Sequence, residues 1–175
     1  MKTTFAKGIQ ALLIIVISTI IASVFGAIHN QISYSVSSEF FKNYIFGMFG
    51  TNEWNLKNER IEASVVGIIG TYWFGLILGT IYTIIFVFMN TKSNFKNILN
   101  AILINISFAI LGSLIAYLIA KFFVSYENSG VFMDFGTQNP QNYLEAAFMN
   151  TGSYIGGIIG IVVGIIYLLK KNQKK

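Results

Sequence analysis

Four stretches of the chain carry no charged side chain: Gly8–Ile28, Ala63–Thr91, Asn97–Ala120 and Ala146–Leu169. A run of about 20 apolar residues rising 1.5 Å each crosses a hydrocarbon core near 30 Å thick, and each stretch meets that length. A chain of 175 residues with four such runs has little left from which to build anything else. Lipid offers backbone N–H and C=O groups no partners, so each run must be helical. Barrel strands would alternate polar and apolar residues, whereas Ala11–Ile17 is apolar on every face. With their margins, the predicted spans are approximately residues 8–28, 63–90, 97–121 and 142–169, separated by longer loops at 29–62 and 122–141. The predicted fold class is an all-α integral membrane protein, a four-transmembrane-helix bundle forming a single membrane domain over residues 1–175.

Composition agrees with that solvent. Only 11% of the residues are charged, against roughly 25% in soluble domains. Disorder is excluded, because it needs low hydrophobicity. With no Cys, disulfide relays and Cys-based metal centres are impossible, and a single His excludes a multi-histidine centre. No HExxH, GxSxG or P-loop pattern occurs.

Charge placement orients the bundle. Lys2 and Lys7 precede the first span, Lys92 and Lys96 join the second to the third, and Lys170, Lys171, Lys174 and Lys175 follow the fourth. The carboxylates Glu39, Glu53, Glu59, Glu62, Glu127, Asp134 and Glu145 all fall in or beside the other two loops. The positive-inside rule then predicts both termini in the cytoplasm. The net charge of +5 is a topology signal, and no nucleic acid is expected as a partner. Lys2, Lys7 and Val24-Phe25-Gly26 have the outline of a signal peptide and its cleavage site. The apolar run exceeds the 7–15 residues of a usual h-region, so the first helix is expected to be retained. The alternative, a cut after Gly26, would leave three helices.

The first long loop is patterned. Ile32, Tyr34 and Val36 alternate with Ser33, Ser35 and Ser37, which predicts a short strand. Phe40, Phe41, Tyr44, Ile45, Met48 and Phe49 follow helical spacing, predicting an aromatic amphipathic helix. Ser37 or Ser38 would cap it, with Glu39 in its first turn. That helix would lie in the membrane interface or pack on the bundle end. Thr51–Arg60 reads as an exposed turn. Asn139-Pro140 is a helix start, Asn as N-cap and Pro at the first position. Trp54, Tyr72, Trp73, Tyr143 and Tyr154 read as an aromatic belt.

Small residues form stripes: Gly67, Gly75 and Gly79 in the second span, and Gly152, Gly156, Gly160 and Gly164 in the fourth. In lipid, close backbone approach through small residues is the main attraction between helices. The expectation is that the second and fourth helices pack together, with homodimerisation or a membrane partner on the GxxxG face as the alternative. The third span adds a small face at Ala109, Gly112, Ala116 and Ala120.

Candidate chemistry gathers at the extracytoplasmic rim: His29, Glu39, Glu59, Glu62 and Glu145. A divalent metal on His29, Glu39 and Glu145 is one reading, and an acid–base pair another. Interfacial hydrogen bonds and caps are the plainer one. Glu145, on the face of Gly152 and Gly156, needs a partner if it is ionised. His29 or Arg60 is expected ahead of Lys121, which can snorkel outward. The span residues Tyr72, Tyr82, Asn105, Tyr117, Asn150, Thr151 and Ser153 predict inter-helical hydrogen bonds, or a polar substrate path.

The stretch from His29-Asn30-Gln31 through Tyr34 to Glu39-Phe40-Phe41 resembles a motif of small bacterial four-helix integral membrane proteins without an assigned activity. Their pattern reads His-Asp-Gln with a Pro before the Glu, and Asn30 and Ser38 depart from it. Ser153-Tyr154-Ile155-Gly156-Gly157 is similar to part of that group's last helix, where a second His stands at the position of Asn150. The resemblance implies a bacterial inner-membrane protein and singles out His29, Gln31, Tyr34 and Glu39. The function expected is that of a non-enzymatic membrane component or partner-binding protein. A membrane enzyme or metal-dependent protein is the alternative, and a small-molecule transporter the third.

Overall fold

The computed structural model describes residues 2–89, 94–133 and 136–173. Lys92, Asp134, Lys174 and Lys175, used above for charge placement, lie outside them, as does the side chain of Lys2. All regular structure among the described residues is helical. Four long helices dominate: α1 (Lys2–Val36), α4 (Glu59–Phe88), α5 (Asn94–Phe123) and α6 (Pro140–Gln173). Each is long and apolar enough to cross a membrane, the architecture of a multi-pass membrane protein. Between α1 and α4 lie α2 (Ser38–Phe40), a π turn (Phe41–Ile45), α3 (Phe46–Phe49) and a 3-10 turn (Thr51–Trp54).

The predicted strand at residues 32–36 is instead the last turn and a half of α1. Its hydroxyls have a local outlet that keeps the helix intact, since Ser35 Oγ donates to the Gln31 carbonyl at 2.9 Å. Among the described residues there is no second strand to pair with, so the alternation has nothing to stabilise it. Ser37 breaks the helix in an extended conformation (φ −149°, ψ 106°), and its Oγ accepts from Phe40 N to cap α2. The aromatic segment is helical as expected, and it packs on the bundle. Phe40, Phe41, Ile45 and Phe46 are buried against Tyr34, Ala63, Val66, Tyr143 and Ala146. Tyr44 and Met48 stay exposed on its other side. Gly50, at φ 67°, ends α3 in the left-handed region that favours glycine. Asn58 caps α4 through Oδ1, which accepts from Arg60 N and Ile61 N. α6 begins at Pro140, as Asn139-Pro140 predicts.

The glycine stripes pack differently from expectation. The dominant contacts are α1 with α4 and α5 with α6, and α4 touches α6 little. A methyl group at Gly26 would strike the Gly67 carbonyl and the Thr71 side chain. One at Gly112 would strike the Gly152 carbonyl, and one at Gly156 the Phe108 carbonyl. Gly75 and Gly79 likewise meet Ser18, Thr19 and Ile15 of α1, and Gly160 meets Asn105 of α5. Gly164 faces the Tyr82 hydroxyl. Both stripes are therefore filled within the chain. Each stripe needs a partner helix with its own small residues. α1 offers Ser18, Ala22 and Gly26, and α5 offers Ala109, Gly112 and Ala116, so adjacent surfaces match pair by pair.

The outcome is two tight helix pairs, α1/α4 and α5/α6, set side by side. One apolar core joins them where Ile14, Leu78, Tyr82, Phe86, Ile98, Ile102 and Leu168 meet. A second, more aromatic core lies under α2 and α3. Outward faces carry exposed Leu12, Val16, Ile20, Ile84, Leu103, Leu114, Ile158 and Val162.

Candidate functional site

Polar side chains sew the two pairs together at the end bearing the long connections. His29 of α1 reaches Ser113 of α5, Nε2 to Oγ at 2.9 Å. Asn150 of α6 donates Nδ2 to Ser33 Oγ of α1 at 2.8 Å. Tyr154 of α6 donates its hydroxyl to the Gly70 carbonyl of α4, also at 2.8 Å. Within the first pair, Asn30 Nδ2 donates to the Ala63 carbonyl at 3.0 Å. That bond orients the amide so that Asn30 Oδ1 faces His29 Nδ1 at 3.5 Å. An acceptor beside Nδ1 favours the neutral tautomer protonated there, in which Nε2 accepts from the Ser113 hydroxyl.

Ser113, His29 and Asn30 thus follow the order of a nucleophile, base and orienting group. The order is not enough for acyl transfer. Ser113 is 4% exposed and does not line the adjoining cleft, so its oxygen has no route to a carbonyl. The chain of bonds locks α1 to α5.

The remaining candidates from the sequence have separate partners. Gln31 Nε2 donates to the Arg60 carbonyl (2.6 Å) and Ser64 Oγ (2.7 Å). Tyr34 donates to Glu59 Oε2, the oxygen that also holds Lys42 at 2.8 Å. Glu62 accepts from Thr51 Oγ1 at 2.9 Å. Thr51 is fully buried by that bond, where an exposed turn was expected. Glu39 reaches far along the sequence, Oε1 accepting from Gln138 N at 2.8 Å and Oε2 from Asn139 N at 2.9 Å. Tyr143 is buried in the aromatic core and so forms no part of a belt, while Trp54, Tyr72 and Trp73 are exposed. Asn105, Asn150 and Tyr82 do make bonds between helices, as predicted for polar span residues.

The proposed metal set is not assembled. His29 is held by Ser113 and Asn30, Glu39 by backbone amides, and no group of three His, Asp or Glu side chains able to hold a metal occurs among the described residues. Glu145 is paired with neither His29 nor Arg60. Arg60 is spent on Gln31 and Ser35. The reason is rotational. Residues 145 and 152 share a face of α6, and that face is turned to α5, which carries Lys121.

A cleft of about 680 Å³ opens between the pairs beneath α2 and α3. Its walls are mainly apolar and aromatic, including Phe25, Tyr44, Met48, Val66, Phe132 and Tyr143. Polar groups converge at His29, Asn30, Asn150, Thr151 and Tyr154. Asn150 and Thr151 lie side by side in that wall. Trp73 stacks on Tyr154 at 6.3 Å and 19°, bracing that wall. None of the described lining residues is Asp, Glu, Lys or Arg.

No protein-family model, curated protein or solved structure matches the chain. Ser33 and Ser113 were missed as functional positions in the sequence. The signal that could have found them is the small hydroxyl residue on an otherwise apolar helix, where every polar group needs a partner.

Proposed function

We propose that this chain is a multi-pass protein of a bacterial inner membrane. In this reading the termini and the α4–α5 link are cytoplasmic, and it works as a non-enzymatic binding component. Lysine segregation in the sequence supports the topology, and the exposed Leu, Ile and Val side chains of all four helices support insertion. The motif resemblance around His29 supports the bacterial assignment. The cleft carries the functional reading. Its volume of about 680 Å³ lies within the roughly 300–1,000 Å³ usual for small-molecule sites, with mainly apolar walls and a few convergent polar groups. The ligand is an amphipathic molecule taken between the helix pairs from the extracytoplasmic side. An enzymatic reading is disfavoured by the closure of Ser113 from the cleft.

Two measurements test it. Glu53 is exposed in the first connection, so Glu53→Cys should react with a membrane-impermeant maleimide from outside intact cells. Labelling only after lysis refutes the topology. Thr151→Trp places an indole in the cleft, whereas Ile158→Trp puts one on an exposed face. Native mass spectrometry of protein extracted from membranes should show a retained molecule in wild type and Ile158→Trp, and its loss in Thr151→Trp. Equal retention in all three refutes the cleft as the site.

A further inference from the structure

The cleft under α2 and α3 has a back wall, two sides and a roof. Phe25 and His29 of α1 form the back, Val66 and Gly70 of α4 one side, and Tyr143 and Thr151 of α6 the other. The aromatic segment crosses above them. Phe40 meets Tyr143 edge to face at 5.1 Å, and Phe49 packs on Gly70, so the roof runs from α6 to α4. It covers the end that would otherwise face water. α4 and α6 themselves scarcely touch, which leaves the gap between them as the open side.

Exposure along α6 fixes what that opening faces. Thr151 lines the cleft yet is exposed, and it shares a helical face with the exposed Ile155, Ile158 and Val162. The lipid-facing stripe of α6 therefore runs straight into the cleft wall. Further along the gap, Trp73 of α4 stacks on Tyr154 of α6 and forms a sill. A molecule dissolved in the surrounding hydrocarbon reaches the cleft without crossing water, whereas one in water meets the roof first.

The cleft is graded along its height as a lipid leaflet is. His29, Asn30 and Asn150 line its outer part. Toward the bilayer centre Thr71, Ser153 and Tyr154 donate their hydroxyls to carbonyls of the bundle, which leaves an apolar inner end beside Phe25. From Tyr143 to Tyr154 the α6 wall rises about 16 Å at 1.5 Å per residue, close to half of a hydrocarbon core near 30 Å thick. No described lining residue carries a charge to pair with an ionised head, so the part of a lipid that fits is its chain.

We propose that the cleft takes an acyl chain of a membrane lipid, entering sideways between α4 and α6 from the leaflet nearest the long connections. The polar linkage of that lipid lies toward His29, Asn30 and Asn150, and the chain runs inward past Phe25. This rests on the cleft being a binding site and names the class of molecule it binds.

The test is tryptophan quenching in vesicles of phosphatidylcholine whose acyl chains are brominated, against the same lipid without bromine. Trp54→Phe and Trp73→Phe remove the native indoles. One indole is then introduced at either of two neighbouring positions at the same depth: Phe25→Trp faces the cleft, and Val24→Trp sits on an exposed face of α1. Brominated chains should quench both positions to a comparable extent. Adding Thr151→Phe, which fills the mouth, should abolish the quenching at position 25 and leave that at position 24 intact. Wild-type protein extracted from the brominated vesicles provides a readout free of substitutions, since the molecule it retains in native mass spectrometry should carry the mass of the brominated lipid. An unquenched position 25, or quenching there that persists with Thr151→Phe, overturns the proposal. If a retained molecule of some other mass is still lost in Thr151→Trp, the cleft reading stands and only the lipid entry fails. If no molecule is retained at all and position 25 is unquenched, both fail together.

Discussion

Glu39 ties the first connection to the start of α6, and removing its charge should loosen that helix end in particular. Its two oxygens accept from Gln138 N and Asn139 N, the amides just ahead of Pro140. Hydrogen bonds to a charged group contribute about 1.5–3 kcal/mol each when well shielded. A carboxylate at a helix N-terminus adds about 0.3–1 kcal/mol through the helix dipole. Glu39 is half-buried, so screening by solvent reduces both contributions. Glu39→Ala should therefore cost about 2 kcal/mol, and Glu39→Gln, which keeps one neutral acceptor, about 1 kcal/mol. Hydrogen–deuterium exchange gives a local assay. Two kcal/mol corresponds to roughly a 30-fold faster exchange at the Gln138 and Asn139 amides. The α5/α6 glycine contact around Gly152 should keep its protection. If exchange at residues 138–139 is unchanged in Glu39→Ala, or if protection falls equally along all of α6, the carboxylate is not the anchor argued for here.

Gly26→Ala drives a methyl into the Gly67 carbonyl and should cost about 1–3 kcal/mol, whereas Gly8→Ala, with open space around it, should be neutral or stabilising; thermal unfolding in detergent distinguishes them, and equal midpoints would mean the α1–α4 crossing is looser than described. Tyr154→Phe deletes the bond to the Gly70 carbonyl and should cost about 1 kcal/mol, read as the same midpoint shift. A double-mutant cycle on His29→Ala and Ser113→Ala should give a coupling of about 0.5–2 kcal/mol, while strict additivity would mean the 2.9 Å contact contributes nothing.

Local chemistry made much of the fold legible. Four uncharged runs demand helices because backbone polar groups in lipid must bond within their own segment. Asn139-Pro140 starts α6 because proline lacks only an N–H that the first turn never uses. The aromatic spacing from Phe40 to Phe49 gives a helix for the same reason: the period belongs to the segment itself. The strand reading at Ile32 to Val36 failed because a strand is stable only with a neighbour, and five alternating residues say nothing about whether one exists. Partner choice lay beyond the sequence for a related reason. Gly67 and Gly152 announce that something will approach closely, but several helices offer small residues. Only the simultaneous packing of all four sends Gly67 to Gly26 and Gly152 to Gly112. The site shows the same division. His29 and Glu39 stand out by residue type, yet their partners are Ser113, 84 residues away, and backbone amides 99 and 100 residues away. The cleft belongs to no segment at all. It exists because two tightly zipped pairs meet along surfaces that do not quite fill the space between them, a property of rigid bodies in contact that no run of residues carries by itself.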